Sequence, residues 1–464
     1  MTAKVISFAT CILASLSSAG AFGKTLLPSS VILISSYPDN GSQDKITRLL
    51  TENSKIAINT IPKAVCRFNS AVDSRRILIL KGKELPLQII APIIAKPDKL
   101  CIVGAEAAFE PERLGTELRA LHDLGIKVTS GNLKISATTP LILPFYLDPL
   151  PLKSLVAPHH AEASVMDLVR ADTICHRAIC AGDLIDLNQP ENLEHLQQKL
   201  KALIKYHNIL RHNAQLPEIS EQALLCDLKS WAPIVAPYIT DISAAINTLH
   251  KEQQPFLVEG ILPSPPALST SLTTEGAFTA DSSLGISLKN KVVIGIIRPY
   301  TIASSVSSFS TTMDEQSGQK IIAATTAVSR AEAGNSAYGW LDLVALKQLI
   351  RVNGINGLIL TQGEDLDGFE TIKVCTGYKI DGLRIDTLPL DISHRARLKP
   401  IYKEFKGWKG SKGVKIYQDL DHNYRIFVKF LEQETQLPVI IISTGPKTED
   451  AVIRQSPFTL KLPT

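Results

Sequence analysis

The stretch "GWLDLVALKQLIRVNGINGLIL", residues 339–360, and the "TQGEDLDGFETIKVCTGYK" that follows at 361–379 decide how this chain reads. Apolar residues in the first fall at helical spacing and then close into a short continuous run, so a helix is expected to feed a buried strand, with a loop after it. Similar apolar runs recur along the chain: "VILISS" at 31–36, "KLCIVG" at 99–104, "PFLVEG" at 255–260, "KVVIGIIRPY" at 291–300 and "PVIIIST" at 438–444. None shows the polar alternation of a half-exposed strand, and strands buried on both faces belong to mostly parallel sheets covered by helices. Helices are expected over "DKITRLLTEN" at 44–53, from about Glu110 to Leu124, and along 191–213, while "ILILKGKELPLQII" at 77–90 reads as two strands around a Lys81-Gly82 turn. The expected fold is α/β, a large mostly parallel central β-sheet flanked by helices. The Pro/Ser/Thr-rich tract 262–288 and the small-residue tract 301–337 are expected as loops.

With 464 residues, 45% of them hydrophobic and 20% charged, the chain can bury a large core in one α/β domain or two smaller ones. A net charge of +4 is too mild and too dispersed to imply nucleic acid as a partner. Residues 1–21 carry one early cation, Lys4, an apolar run from Val5 to Leu16 and a small-residue Ala19-Gly20-Ala21 site, the pattern of a secretory signal. With a single Lys ahead of the apolar run, residues 1–28 read equally as a disordered or loosely packed extension, leaving 29–464 as one domain. The segment is too short and serine-rich to span a bilayer, and no integral membrane domain is expected. Beyond Cys11, the cysteines at 66, 101, 175, 180, 226 and 375 lack zinc-ligand pairing, and neither a zinc site nor a disulfide framework is expected. Cys101 and Cys375 lie inside strand-like runs, where the ordinary role is a small buried hydrophobe.

Five collinear motifs, "GWLDLVAL", "RVNGINGLILT", "DLDGFETIKVCTGY", "PIYKEFKGWKG" and "PVIIISTGPKTEDAVIRQSPF", closely resemble the C-terminal half of adenylosuccinate synthetases. A weaker likeness runs through "DKITRLLTENSKIAI", "KLCIVG", "PLILPF", "AGDLIDL" and "PFLVEG", so the resemblance covers roughly 31–460. It implies an adenylosuccinate-synthetase-like fold related to P-loop NTPases, and a homodimer that shares IMP contacts across its interface. The implied reaction joins IMP to aspartate with GTP and Mg2+, through a 6-phosphoryl-IMP intermediate. Such chemistry needs a phosphate cradle, an acid/base pair, a metal ligand and arginines for the anionic substrates.

Position by position, the resemblance reveals substitutions. The family's phosphate loop, Gly-Asp-Glu-Gly-Lys-Gly-Lys, falls on "DNGSQDK", Asp39 to Lys45. Asn40 stands at the catalytic Asp, and a neutral amide neither accepts the proton nor supplies a charged metal ligand. Gln43 stands at the first Lys, and Lys45 survives. Asp39 and Asp44 place negative charge where a polyphosphate would enter; a solvated turn or helix cap is the expected role, with metal coordination in a rearranged loop as the alternative. The family's general acid His falls on Arg76 in "AVDSRRI", and an arginine cannot shuttle a proton. Arg75 and Arg76 are expected on a solvated surface, with attraction of phosphate as the alternative.

The IMP cradle falls on "HHAEASVMDL", 159–168, without its glycines and arginine, and the partner-subunit arginine becomes His176, with Arg177 beside it. Glu259 and Gly260 are kept, while Leu262 replaces the Gln that contacts IMP. The aspartate-binding arginine run falls on "AEAGNSAY", 331–338, with no arginine left to grip a dicarboxylate. The flexible loop becomes "TIASSVSSFSTT", 301–312, which keeps Thr301, Phe309 and Thr311. At the guanine site Gln362 replaces Lys and Glu364 replaces Asp, while Ser443, Thr444, Gly445 and Pro446 are intact, a sequence that is also ordinary turn chemistry. His159, His160 and His176 have no convincing ligand spacing, and no metal site is assigned.

The expected nucleotide-binding residues are thus Lys45, Glu364 and Ser443 to Pro446, the substrate-binding ones Glu259, Gly260 and Arg177, and the catalytic positions Asn40 and Arg76. Two functional readings follow. One is a homologue that has lost catalysis and acts as a binding or interaction protein, with a purine nucleotide as possible ligand; the other is a working GTP-dependent ligase with a rearranged site, requiring GTP and Mg2+. Family membership implies the cytoplasm, whereas a cleaved signal implies export. The lysines at 399, 403, 406, 409, 412 and 415 are expected to form a solvated face, with a patch for an anionic partner as the alternative.

Overall fold

Val31 and Leu33 point into one apolar cluster and Ile32 and Ile34 into another, so the strand Ser30–Ser36 is buried on both faces. The same division holds for Val65 against Cys66, Cys101 against Ile102 and Val292 against Val293. Alternate residues of a strand face opposite sides, and a continuous apolar run is what a doubly covered sheet requires. The structure, a computed structural model, describes residues 30–36, 42–52, 61–69, 76–80, 83–148, 165–262, 277–288, 290–303, 310–324, 337–389, 391–395 and 397–460.

Ten strands form the large sheet, in the order Ala451–Ile453, Val439–Ser443, Gly357–Leu360, Lys291–Ile297, Ser30–Ser36, Phe256–Leu262, Ala64–Asn69, Leu100–Glu106, Leu133–Ser136 and Ile239–Thr240. Every neighbouring pair is parallel except the edge pair Val439–Ser443 with Ala451–Ile453. Helices Pro111–Asp123, Pro190–Asn213 and Glu221–Val235 bury leucines in one cluster, whereas Ile242–Lys251, Leu343–Asn353 and His422–Thr435 feed the other. A smaller sheet joins Tyr300–Ala303, Ala337–Asp342, Thr371–Ile380, Leu383–Ile385 and Lys399–Lys406, and Arg76–Leu80 pairs with Lys83–Leu87 as a separate hairpin.

Local chemistry corrects four expectations. Gly339 to Leu341 do not begin a helix but end the strand Ala337–Asp342. Asp342 makes the switch: its Oδ1 accepts from the Val344 and Ala345 amides at 2.9 and 3.1 Å, capping Leu343–Asn353. "KVVIGIIRPY" is two strands in different sheets, Lys291–Ile297 and Tyr300–Ala303, broken at Arg298-Pro299, where proline has no amide for the ladder. Inside the two expected loops lie the helices Ala277–Leu284 and Glu315–Ala324. Their Ala, Ser and Thr content hides the apolar periodicity that marks the other helices.

Candidate functional site

In open parallel sheets the ligand crevice lies past the carboxyl ends of the strands. Here the central strand Ser30–Ser36 leads toward the helix Ser42–Glu52, whose first turn is buried. Gln43, with no exposed surface, donates from Nε2 to the Leu33 and Gly260 carbonyls at 3.0 and 2.7 Å, and its Oε1 accepts from Arg76 Nη2 at 3.0 Å. Arg76 Nε donates to Glu259 Oε1 at 2.8 Å, and Thr47 Oγ1 donates to Glu259 Oε2 at 2.9 Å. Arg67 Nε lies 3.5 Å from Glu259 Oε1, and its Nη1 donates to the Gln88 and Ile89 carbonyls. Burial, with Arg76 beside it, pushes the Arg67 guanidinium down to about 10. Arg76 is therefore not on a solvated surface: with Arg67 and Glu259 it forms a fully buried polar core, because Glu259 on the large-sheet strand Phe256–Leu262 supplies the countercharge. Asp44 is not solvated either. It pairs with Arg48 at 3.2 Å and accepts from the Ile77 amide at 3.4 Å, and burial pushes its carboxyl up to about 6.

Lys45 points the other way along the same turn. Its ammonium donates to Ser443 Oγ at 2.6 Å, to the Asp450 carbonyl at 2.7 Å and to the Gly445 carbonyl. A lysine has three donors, and these three oxygens match them. Burial lowers the ammonium to about 8. Thr444 donates from Oγ1 to the Val414 carbonyl at 2.8 Å, and Pro446 is exposed. A Cβ on Gly445 would sit 2.7 Å from Asp450 Oδ2, so any larger residue there would displace the Asp450 carboxylate. The structure thus brings Lys45 against Ser443 and Gly445, with Thr444 between them in sequence.

Glu364 joins this group from the 3-10 turn Gly363–Leu366. Burial and then Asp365 push its carboxyl up to about 7, against the pull of Lys45, and its Oε2 is buried without a hydrogen-bond partner. Around the turn stand residues that sequence reasoning missed. Trp408 Nε1 donates to the Gly363 carbonyl at 3.0 Å, and Trp408 stacks on Tyr424 at 4.3 Å and 9°. The Tyr424 hydroxyl is buried without a partner, and a Cβ on Gly363 would lie 1.8 Å from it. Tyr300 donates to Asp365 Oδ2 at 2.7 Å, although burial still raises that carboxyl to about 6. One signal was available, the glycine between Gln362 and Glu364, with Gln362 in the left-handed region at φ 57°.

Gly260 is closed off, since a Cβ there would meet Phe68 Cζ at 2.1 Å. Arg177 belongs to a different network: Nε and Nη2 each reach Asp172 Oδ1 at 2.9 Å, and the guanidinium lies 3.8 Å over the Tyr206 ring. The Tyr146 hydroxyl and His207 Nε2 meet Asp172 Oδ2, both at 2.6 Å. His176 is exposed at φ 57°. Asn40, Asp39, Arg75, His159, His160, Leu262's side chain, Phe309 and the tract 331–336 lie outside the described residues. Among the described residues no three His, Cys, Asp or Glu side chains cluster as metal ligands, and no helix is long and apolar enough to cross a membrane.

Fold and site together define the class: an open, mostly parallel α/β protein whose polar groups collect where a helix start meets the carboxyl ends of its central strands. The sequence profile of adenylosuccinate synthetase matches residues 44–452. Adenylosuccinate synthetases of Neisseria meningitidis serogroups C and B are each 30% identical over 411 residues, 85% of this chain and 93% of theirs. The structure of fully ligated adenylosuccinate synthetase from Plasmodium falciparum superposes with a TM-score of 0.76 at 18% identity, covering 92% of this chain and all of that one. A cyanophage S-2L succinoaminodeoxyadenylate synthetase, bound to dGMP and to dATP as energy donor, gives a TM-score of 0.51 at 11% identity over 93% and 97%. This chain belongs to the adenylosuccinate synthetase family.

Proposed function

We propose that the chain keeps the adenylosuccinate synthetase scaffold without its ligase reaction and acts as a homodimeric binding or interaction protein. The observation that carries this reading is the buried Arg76–Glu259 pair at 2.8 Å. By resemblance Arg76 stands where the family places its general acid, and a guanidinium does not release a proton near neutral pH. The pair also occupies Glu259, and Gln43 is tied to both the strand carbonyls and Arg76. Lys45, the surviving loop lysine, spends its donors on protein oxygens. Magnesium prefers carboxylate and water oxygens, and the residues here fit it poorly: Asn40 is a neutral amide, and Asp44 faces Arg48.

A second reading, a working ligase with a rearranged site using GTP and Mg2+, is favoured by one observation, the gathering of Lys45, Ser443, Gly445 and Glu364. Phosphate release from GTP with IMP, aspartate and Mg2+ separates the two. We expect none above the protein-free rate; release that depends on all three substrates overturns the proposal. Titration with GTP, GDP, IMP and adenylosuccinate then identifies any nucleotide held without turnover. The homodimer is supported by the two exposed isoleucines Ile174 and Ile209, at 77% and 58%, each three residues from a member of the Arg177–Tyr206 stack, which a second copy would cover. Sedimentation equilibrium tests it, and the mass of the mature N-terminus tests whether residues 1–21 are removed as a secretory signal.

A further inference from the structure

Residues 371–415 hold eleven Lys and Arg against four Asp and Glu, a net of +7 where the whole chain carries +4. Part of that charge is organised by strand register. Lys379 lies directly opposite Arg384 on one side and Lys399 on the other, so three cations stand in a row across three antiparallel strands. Directly opposed residues share a face, and like charges there destabilise a sheet. All three are exposed, and among the described residues neither Lys379 nor Lys399 has an ion pair, while Arg384 meets Asp386 at 2.9 Å. Lys403 lies four residues along from Lys399, its ammonium 4.2 Å over the Phe430 ring. The hairpin joining the first two strands turns at Asp381-Gly382, and Leu383 just beyond the turn is 74% exposed. Asp381, the one acid at the tip, is already engaged by Arg397 at 2.7 Å.

An uncovered leucine at a hairpin tip, backed by a row of cations that repel one another, is poorly explained by stability alone. We propose that this hairpin and its cation row form a peripheral docking surface for an anionic lipid bilayer approached end-on, with Leu383, which projects from the opposite face to the row, entering the interface at the tip and Lys379, Arg384 and Lys399 meeting lipid headgroups just behind it. The charge complementarity is direct, and the apolar tip favours a lipid surface over an acidic protein or a nucleic acid. The nucleotide-site proposal does not enter, because none of these residues touches Lys45, Glu259 or Glu364.

The test is co-sedimentation of the full chain with phosphatidylcholine vesicles lacking or containing about 30 mol% phosphatidylserine, at low and high salt. Binding is expected only to the anionic vesicles and is expected to weaken with salt. Each cation near such a surface changes partitioning about fivefold, so Lys379→Glu/Lys399→Glu should lower it at least tenfold. Leu383→Ser should weaken binding severalfold while keeping its salt dependence. Lys409→Glu/Lys415→Glu, an equal charge change away from the row, should leave most binding intact, and thermal melts confirm that each variant folds. No anionic-vesicle binding by the unaltered chain overturns the proposal, as does an equal loss in the Lys409/Lys415 control, or binding to polyglutamate or RNA without vesicle binding.

Discussion

Replacing Glu259 by Gln changes one oxygen for nitrogen in a site with no exposed surface, yet it should be among the most damaging single substitutions available to this chain. Unit charges 2.8 Å apart, the Arg76–Glu259 separation, attract by about 6 kcal/mol at an effective dielectric of about 20. Arg67 at 3.5 Å adds attraction to the carboxylate but repels Arg76, so the net is smaller. Breaking a buried pair from one side costs about 3–5 kcal/mol, chiefly because the remaining charge stays buried without compensation. Here two guanidiniums would remain, and a loss of about 4 kcal/mol is expected from a total of about 5–15 kcal/mol. With a urea slope near 3 kcal/mol/M, the midpoint should fall by about 1.3 M. Trp340 and Trp408, both buried, report the transition by fluorescence. Arg76→Met combined with Glu259→Gln should then cost less than the sum of the two single changes, with a coupling above about 1.5 kcal/mol. A midpoint shift below about 0.3 M for Glu259→Gln, or strict additivity in the double variant, would refute the assignment of a charged, interdependent core.

Acid titration gives a second expectation. Glu364, Asp44 and Asp365 have folded values raised to about 7, 6 and 6, so between roughly pH 4 and 7 the native state binds more protons than the unfolded chain. Stability should therefore fall as pH rises through that window, by about 1.4 kcal/mol per unit for each extra proton held, and Glu364→Gln should flatten the slope. Lys45, lowered to about 8, acts with the opposite sign, stability rising from about pH 8 to 10.5. A urea midpoint that climbs steadily from pH 4.5 to 7 would sink the first half. Tyr424→Phe removes a buried hydroxyl that has no partner, so it should leave stability unchanged or raised, and it should partly rescue Gly363→Ala; a loss above about 2 kcal/mol would show that the hydroxyl is bonded. Finally, if the proposed function holds, Asn40→Asp with Arg76→His, which installs the acid/base pair at the positions the resemblance implies, should not give phosphate release, because Gln43 and the arginine-free tract 331–338 are untouched; turnover by that double variant would favour the ligase reading.

The large sheet was legible because continuous apolar strands have one common explanation, burial on both faces, and register then follows from packing. Elements built on a single polar contact were not. The end of the strand Ala337–Asp342 depends on Asp342 capping the next helix while its other oxygen accepts from Tyr378 at 2.5 Å, a bond spanning 36 residues. At the site, resemblance named Lys45 in one loop and Ser443 and Gly445 in another, but it could not show that they meet, what Lys45 holds, or that Arg76 is buried. Charge alone argues for exposure of an arginine; only the partner on a distant strand, Glu259, reverses that expectation.

The substitutions around that partner make sense only as a set. Arg76 without Glu259 would lose the carboxylate 2.8 Å from its Nε, and Glu259 without Arg76 would keep the guanidinium of Arg67 at 3.5 Å. Gln43 is suited to the space between them, because an amide donates to the Leu33 and Gly260 carbonyls while accepting from the guanidinium, whereas a lysine there could only donate and would add a third cation to the cluster. Each residue is thus explained by its neighbours' chemistry rather than by a substrate. The result is a polar core that ties the strands Ser30–Ser36 and Phe256–Leu262 to Arg76–Leu80 through side chains of this chain alone.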